Sequence, residues 1–129
     1  WESYWRKRAD DFLSDAETLR LSNQNKILEI GNKPQSIKEI DGQYMGLMKF
    51  SKQGLVIMKD LFDELVSIGN INGLSIEKAY MTDLLQEMIR RGISVHAVTV
   101  DDYWIEVDTV EDLESEITKF RASKIYEEM

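Results

Sequence analysis

The chain has 129 residues, 43% of them hydrophobic, enough to close the core of one ordinary domain and to exclude a disordered chain. A formal net charge of −8 excludes a broad DNA- or RNA-binding face, which needs clustered Lys and Arg, and the absence of Cys excludes disulfides and thiolate chemistry. No apolar run approaches the roughly 18 residues of a membrane span and no signal-peptide pattern appears, so neither nucleic acid nor membrane is expected as a partner, and the Cys-free composition fits a reducing, cytoplasmic setting.

The chain opens Trp1-Glu2-Ser3-Tyr4-Trp5 without an initiating Met, and aromatics this dense at a terminus read as a piece of a longer protein. A short helix is expected within residues 1–12. Residues 16–22 alternate, Asn23-Gln24-Asn25 is turn chemistry, and residues 26–30 return, which predicts a β-hairpin. Residues 31–42 form a polar connection holding the one proline, Pro34. Residues 43–50 carry apolar side chains on both faces and predict a strand buried inside a sheet. Ser51 caps a helix whose apolar residues are Leu55, Met58, Leu61, Phe62, Leu65 and Ile68, and Gly69 ends it.

Residues 70–74 read as a loop. Ser75 caps a second helix with Ile76, Tyr80, Leu84, Leu85, Met88 and Ile89 as its stripe, Arg90 and Arg91 in its last turn, and Gly92 as its stop. Residues 93–100 and 103–107 predict a second hairpin turning at Asp101-Asp102. Thr109-Val110-Glu111-Asp112 has the form of a capping box, opening a final helix with Val110, Leu113, Ile117 and Phe120 as its buried stripe. The order is hairpin, strand, helix, helix, hairpin, helix: a mixed α/β pattern in one domain, with an incomplete sheet.

Glu106 and Asp108 are the strongest chemical feature. On a strand, residues two apart share a face, and two carboxylates at a strand end suit a hard cation such as Mg²⁺. The same pair also reads as a solvated strand residue followed by the residue before a helix cap. Lys33, extended by Pro34, projects an ammonium that can bind a phosphate, or is an ordinary surface lysine. Gly46 marks close approach of a ligand or another backbone, or a bulge. Asp83, at the border of the second helix's stripe, can meet a cationic group or bond locally. His96, the one histidine, has no Ser or Cys signature beside it and reads as structural or surface.

Taken in order, Asp15-Ala16-Glu17, Glu29-Ile30-Gly31-Asn32-Lys33-Pro34, Gly42-Gln43-Tyr44-Met45-Gly46-Leu47, Met81-Thr82-Asp83-Leu84 and Trp104-Ile105-Glu106-Val107-Asp108-Thr109 resemble the C-terminal half of the nucleotidyltransferase family, nearest its phosphocholine and phosphonate cytidylyltransferase branch. The resemblance implies part of a Rossmann-like α/β fold, a mixed sheet with flanking helices and the N-terminal half missing, so that residues 1–129 are the acceptor-binding half of the domain. It implies Mg²⁺ as cofactor, held by Asp108 with Glu106. It makes Lys33 the catalytic contact to the acceptor phosphate, and Tyr44, Gly46 and Asp83 further substrate contacts, with Tyr44 and Asp83 facing a cationic head group. The partners implied are CTP and a phosphocholine- or phosphonate-like acceptor. A sugar 1-phosphate acceptor and a non-catalytic α/β binding or regulatory module are the alternatives. The glycine-rich triphosphate-gripping signature and first metal aspartate of the family's N-terminal half do not occur in this chain, so the chain alone is expected to be inactive and to self-associate through an open sheet edge.

Overall fold

The computed structural model describes residues 1–8, 12–100 and 104–128. They form two compact units. One is the continuous stretch Ala16–Ala97, and the other combines Trp1–Asp15 with Val98–Met129.

In the continuous unit, β1 (Leu19–Leu21) and β2 (Ile27–Ile30) pair antiparallel, as the hairpin pattern predicts. The turn is held by the Ser22 hydroxyl, which accepts from the amides of Gln24 and Lys26, while Asn25 takes a left-handed φ of 57°. Such a φ is tolerated best by Asn and Gly. The register slips between Arg20 and Leu21. That irregularity explains how Ile27 and Ile30, three apart, both reach the core while Leu28 between them is half exposed. Two further segments flank the hairpin. Ile40 bridges Leu19 in parallel, reinforced by the Asp41 amide on the Leu19 carbonyl at 2.7 Å. Beside β2, residues 95–97 run antiparallel, with the Ile27 amide on Val95 and the Ala97 amide on Asn25.

Helix α2 (Lys52–Ile68) begins where the Ser51 hydroxyl accepts from the Gly54 amide at 3.0 Å, and ends at Gly69 with φ 75°. It buries Leu61 and Leu65 but leaves Leu55, Phe62 and Ile68 exposed. The expected loop at 70–74 is instead a small hairpin, β3 (Asn70–Ile71) and β4 (Leu74–Ser75). Asn72 and Gly73 both have positive φ, the requirement of a tight two-residue hairpin turn. Helix α3 (Met81–Arg90), capped at Tyr80, starts five residues later than a Ser75 cap predicts. Ser75 instead precedes a short 3₁₀ turn, Ile76–Lys78, without a side-chain cap bond. The stop at Gly92 holds: its amide donates to Ile89 and that of Ile93 to Met88, the paired bonds of a Schellman turn. Leu19, Ile27, Ile30, Leu61, Leu65, Ile71, Leu84, Leu85 and Met88 close one apolar core between hairpin and helices.

The predicted strand at 43–50 does not form. Gly46 sits at φ 75°, a bend no extended strand accommodates, and Leu47 is 82% exposed. The hairpin edges that a strand might join already carry Ile40 and residues 95–97.

In the second unit, α1 (Glu2–Arg8) buries Tyr4 and Trp5, and a 3₁₀ turn follows at Phe12–Ser14. Residues 104–107 are not in a ladder, and the Asp101-Asp102 turn with Tyr103 lies outside the described residues, so the second hairpin is not seen. The final helix is two helices, α4 (Val110–Glu114) and α5 (Glu116–Glu128), parted at Ser115, whose ψ of 146° is extended. The Ser115 hydroxyl donates to the Asp112 carbonyl and accepts from the Thr118 amide, so it closes one helix and opens the next. The expected buried stripe is overturned: Val110, Leu113 and Phe120 are more than half exposed. Val110 and Leu113 lie in α4, and Phe120 lies past the break, in α5, so the three do not form one continuous helical stripe. The whole is a mixed α/β chain of small antiparallel sheets and helices. No helix among the described residues is long and apolar enough to cross a membrane.

Candidate functional site

Polar side chains concentrate where the hairpin meets the first turn of α3. Gly31 ends β2 with φ 82°, and a Cβ there would lie 2.8 Å from the Thr82 Cβ, so only glycine lets the loop pass the helix this closely. Buried Thr18 fixes the same loop: its amide donates to the Asn32 carbonyl, its carbonyl accepts from the Gly31 amide, and its hydroxyl accepts from the Asn32 amide. From α3, the Gln86 side chain accepts the buried Ile30 amide at 2.8 Å, and the Thr82 hydroxyl donates to Glu17 at 3.4 Å. Each bond satisfies a backbone or hydroxyl group that burial would otherwise leave unpaired.

Five of the residues singled out from the sequence lie in this unit. Lys33 is exposed two residues beyond Gly31, next to buried Pro34, consistent with a projecting side chain. Tyr44 packs against the core at half burial. Desolvation pushes its phenol above the ordinary 10.0, and the negative charge of Glu17 adds to the rise, which places Tyr44 electrostatically with the Glu17–Thr82 pair. Asp83 is 9% exposed and both oxygens are engaged: Oδ2 accepts the Tyr80 amide at 2.8 Å, starting α3, and Oδ1 accepts the Asn72 side chain at 3.1 Å. Its evident work is local. A methyl group placed on Gly46 would meet no protein atom within 4 Å, so no other part of the described backbone passes close to it. His96 is exposed beside β2, as the surface reading expects.

Glu106 and Asp108 lie in the other unit, on a segment outside any strand ladder. Glu106 is half-buried and Asp108 exposed. The capping box is real: the Thr109 hydroxyl accepts from the Asp112 amide at 3.0 Å, and Asp112 Oδ2 accepts from the amides of Thr109 and Asp108. Asp108 is therefore held at its backbone, immediately before a helix start. Among the described residues no group of three or more His, Asp or Glu gathers as a metal cage.

The sequence pattern does not single out Thr18, Thr82 or Gln86. A signal exists for the last two: polar residues four apart inside a helix that also buries Leu84, Leu85 and Met88.

With this geometry in place, comparison with known proteins gives the class first: the chain is related in sequence to a nucleotidyltransferase, as the motif order implies. The relative is the CTP:phosphoglutamine cytidylyltransferase of Campylobacter jejuni, 38% identical over 122 residues that make up 92% of this chain and 47% of the relative. The chain thus spans about half the length of the curated relative it matches. No protein-family model matches, and no solved structure does.

Proposed function

We propose that this chain is the acceptor-binding, C-terminal portion of a Rossmann-like, Mg²⁺-dependent cytidylyltransferase. The observation that supports this reading is 38% identity over 122 residues, 92% of the chain, to a CTP-dependent cytidylyltransferase. An oxygen of the acceptor's phosphoryl group attacks the α-phosphorus of CTP, a new P–O bond forms, the bond to the β-phosphate breaks, and pyrophosphate leaves. The relative's name supports phosphoglutamine as the first acceptor to test, ahead of phosphocholine and phosphonates.

In this reading Lys33 neutralises the acceptor phosphate, and the Gly31–Thr82 contact fixes the loop that carries it. Tyr44 contributes a ring face for a cation. Asp83 acts by ordering the first turn of α3, since its oxygens already serve Tyr80 and Asn72. Gly46 sets the path of the chain after Tyr44. The donor set at Glu106 and Asp108 fits Mg²⁺, which takes one or two carboxylates and completes its shell with substrate phosphate oxygens and water. Bound there, the ion would supply positive charge against phosphate–phosphate repulsion.

The test is a chimera in which this sequence replaces the matching part of the Campylobacter jejuni relative. Pyrophosphate release from CTP with phosphoglutamine is expected, falling about 100-fold or more in Lys33→Ala, and the 129-residue chain alone should release none. A chimera that turns over only a sugar 1-phosphate with UTP, or that turns over nothing while remaining folded, removes the proposal.

A further inference from the structure

Residues 104–107 lie outside any strand ladder, and side chains grip their backbone. The buried Tyr4 hydroxyl accepts the Glu106 amide and donates to the Glu106 carbonyl, both at 3.2 Å. One phenol thereby reproduces, at a single residue, the two bonds of an antiparallel neighbour. Its ring meets Trp104 edge-on, with centroids 5.1 Å apart and planes at 89°. From α5, the Arg121 guanidinium lies 4.7 Å from the Tyr4 ring centre and 5.3 Å from that of Trp104, and its Nε donates to the Trp104 carbonyl at 3.1 Å. On the other side of the pair, Asp112 takes the Asp108 amide. The backbone is thus gripped at 104, 106 and 108, which brackets the two carboxylates.

We infer that Tyr4 is a positioning residue for the Glu106–Asp108 carboxylate pair, and that Trp104 and Arg121 hold its ring in place for that task. The inference rests on the divalent-cation reading above. Two carboxylates on a loose segment lose backbone freedom when they chelate, and a backbone already fixed at Glu106 loses less. Residues that orient a metal ligand typically change metal affinity by about 10- to 100-fold when removed. Tyr4→Phe is the clean substitution, because it keeps both ring contacts and deletes only the hydroxyl.

The experiment uses the isotopically labelled chain with Mn²⁺ as the probe. In the unaltered chain, Mn²⁺ is expected to broaden the amide resonances of residues 106–109, and the Glu106 amide to exchange slowly without metal. In Tyr4→Phe the Glu106 amide should exchange about 10-fold faster and the Mn²⁺ dissociation constant rise by about 10-fold, with amide exchange in α3 unchanged. Exposed Tyr126→Phe should move neither. Arg121→Gln, which loosens the clasp from outside, should move both in the same direction by less, and covers the case in which Tyr4→Phe fails to fold. Equal Mn²⁺ affinity, or equal Glu106 exchange, in Tyr4→Phe overturns the positioning role and leaves the metal reading standing. If Mn²⁺ broadens none of these amides in the unaltered chain, the metal reading falls first and this inference with it.

Discussion

The continuous unit closes on Ile30, Leu65, Leu85 and Met88, each 4% exposed or less, with the buried Ile30 amide paired to the Gln86 side chain. The unit made of the two chain ends buries Tyr4, Trp5 and Thr118, and leaves Val110, Leu113 and Phe120 more than half exposed. One is ordered by apolar area contributed from several elements. The other is ordered by a few directional contacts: the Tyr4 clasp, the Thr109–Asp112 box and the Ser115 turn. The teaching is that a helical or extended apolar pattern secures the element, while burial waits on something to cover it.

The largest expected effect tests that contrast directly. Ile30→Ala should lose about 2–5 kcal/mol in urea denaturation, from the removed apolar contact and the cavity left behind. Leu113→Ala, on the exposed face, should stay within about 0.5 kcal/mol. Similar losses in both would mean that Leu113 is covered and the comparison is wrong.

A middle effect compares single local devices. Gly31→Ala combines a left-handed backbone with a methyl driven into Thr82, and about 2 kcal/mol or more of stability should be lost, read from the thermal midpoint of the continuous unit. Thr109→Ala removes one cap and should cost about 1 kcal/mol, visible as faster amide exchange confined to α4. Gly46→Ala has the same backbone sign as Gly31 but open space, so a cost near that of Gly31→Ala would show that the Thr82 contact is irrelevant.

The smallest effect is electrostatic. Arg91 pairs with both Glu64 oxygens at 2.7 and 2.9 Å and with Glu87 at 2.9 Å, joining α2 to α3 at the surface. The hydrogen bond from Arg91 holds the Glu64 carboxyl below its ordinary 4.5. A depressed carboxylate stabilises the fold above its ordinary value and loses that contribution as pH falls through the folded value. Glu64→Gln should therefore flatten a small part of the acid limb below about pH 4.5 in a circular dichroism titration, while leaving neutral-pH stability little changed because the pair is solvent-screened. An identical acid limb in both proteins would remove the clamp from the account.

Local chemistry makes much of the continuous unit legible. Asn23-Gln24-Asn25 marks its turn, Ser51 and Gly69 bound α2, and Gly92 stops α3. The Asn72-Gly73 turn carries an equally clear hairpin signal, yet the strong helix pattern on either side makes the segment look like a loop. That same pattern draws the expected boundary of α3 back to Ser75, whereas Asp83 sets it at Tyr80. Residues 43–50 show the opposite failure. Their apolar character is strand-like, but a strand exists only through its partner's hydrogen bonds, and sequence pattern does not say whether one is there. At the candidate site, Lys33-Pro34 and Tyr44 can be singled out by chemistry. The pairing of Gly31 with Thr82 cannot, because it joins residues far apart in sequence through shape alone.

The Tyr4 hydroxyl and the Glu106 backbone that it grips are 102 residues apart in sequence, and the whole continuous unit lies between them. Viewed as polymer physics, bringing the ends of such a long loop together costs about 4 kcal/mol in its length-dependent part alone. Folding residues 16–97 first replaces most of that loop with a fixed span, since Ala97 is tied to Asn25 and the Thr18 amide to Asn32 within one small body. Folding residues 16–97 ahead of the Tyr4 clasp would therefore lower the entropy cost of fastening the segment that bears the two carboxylates.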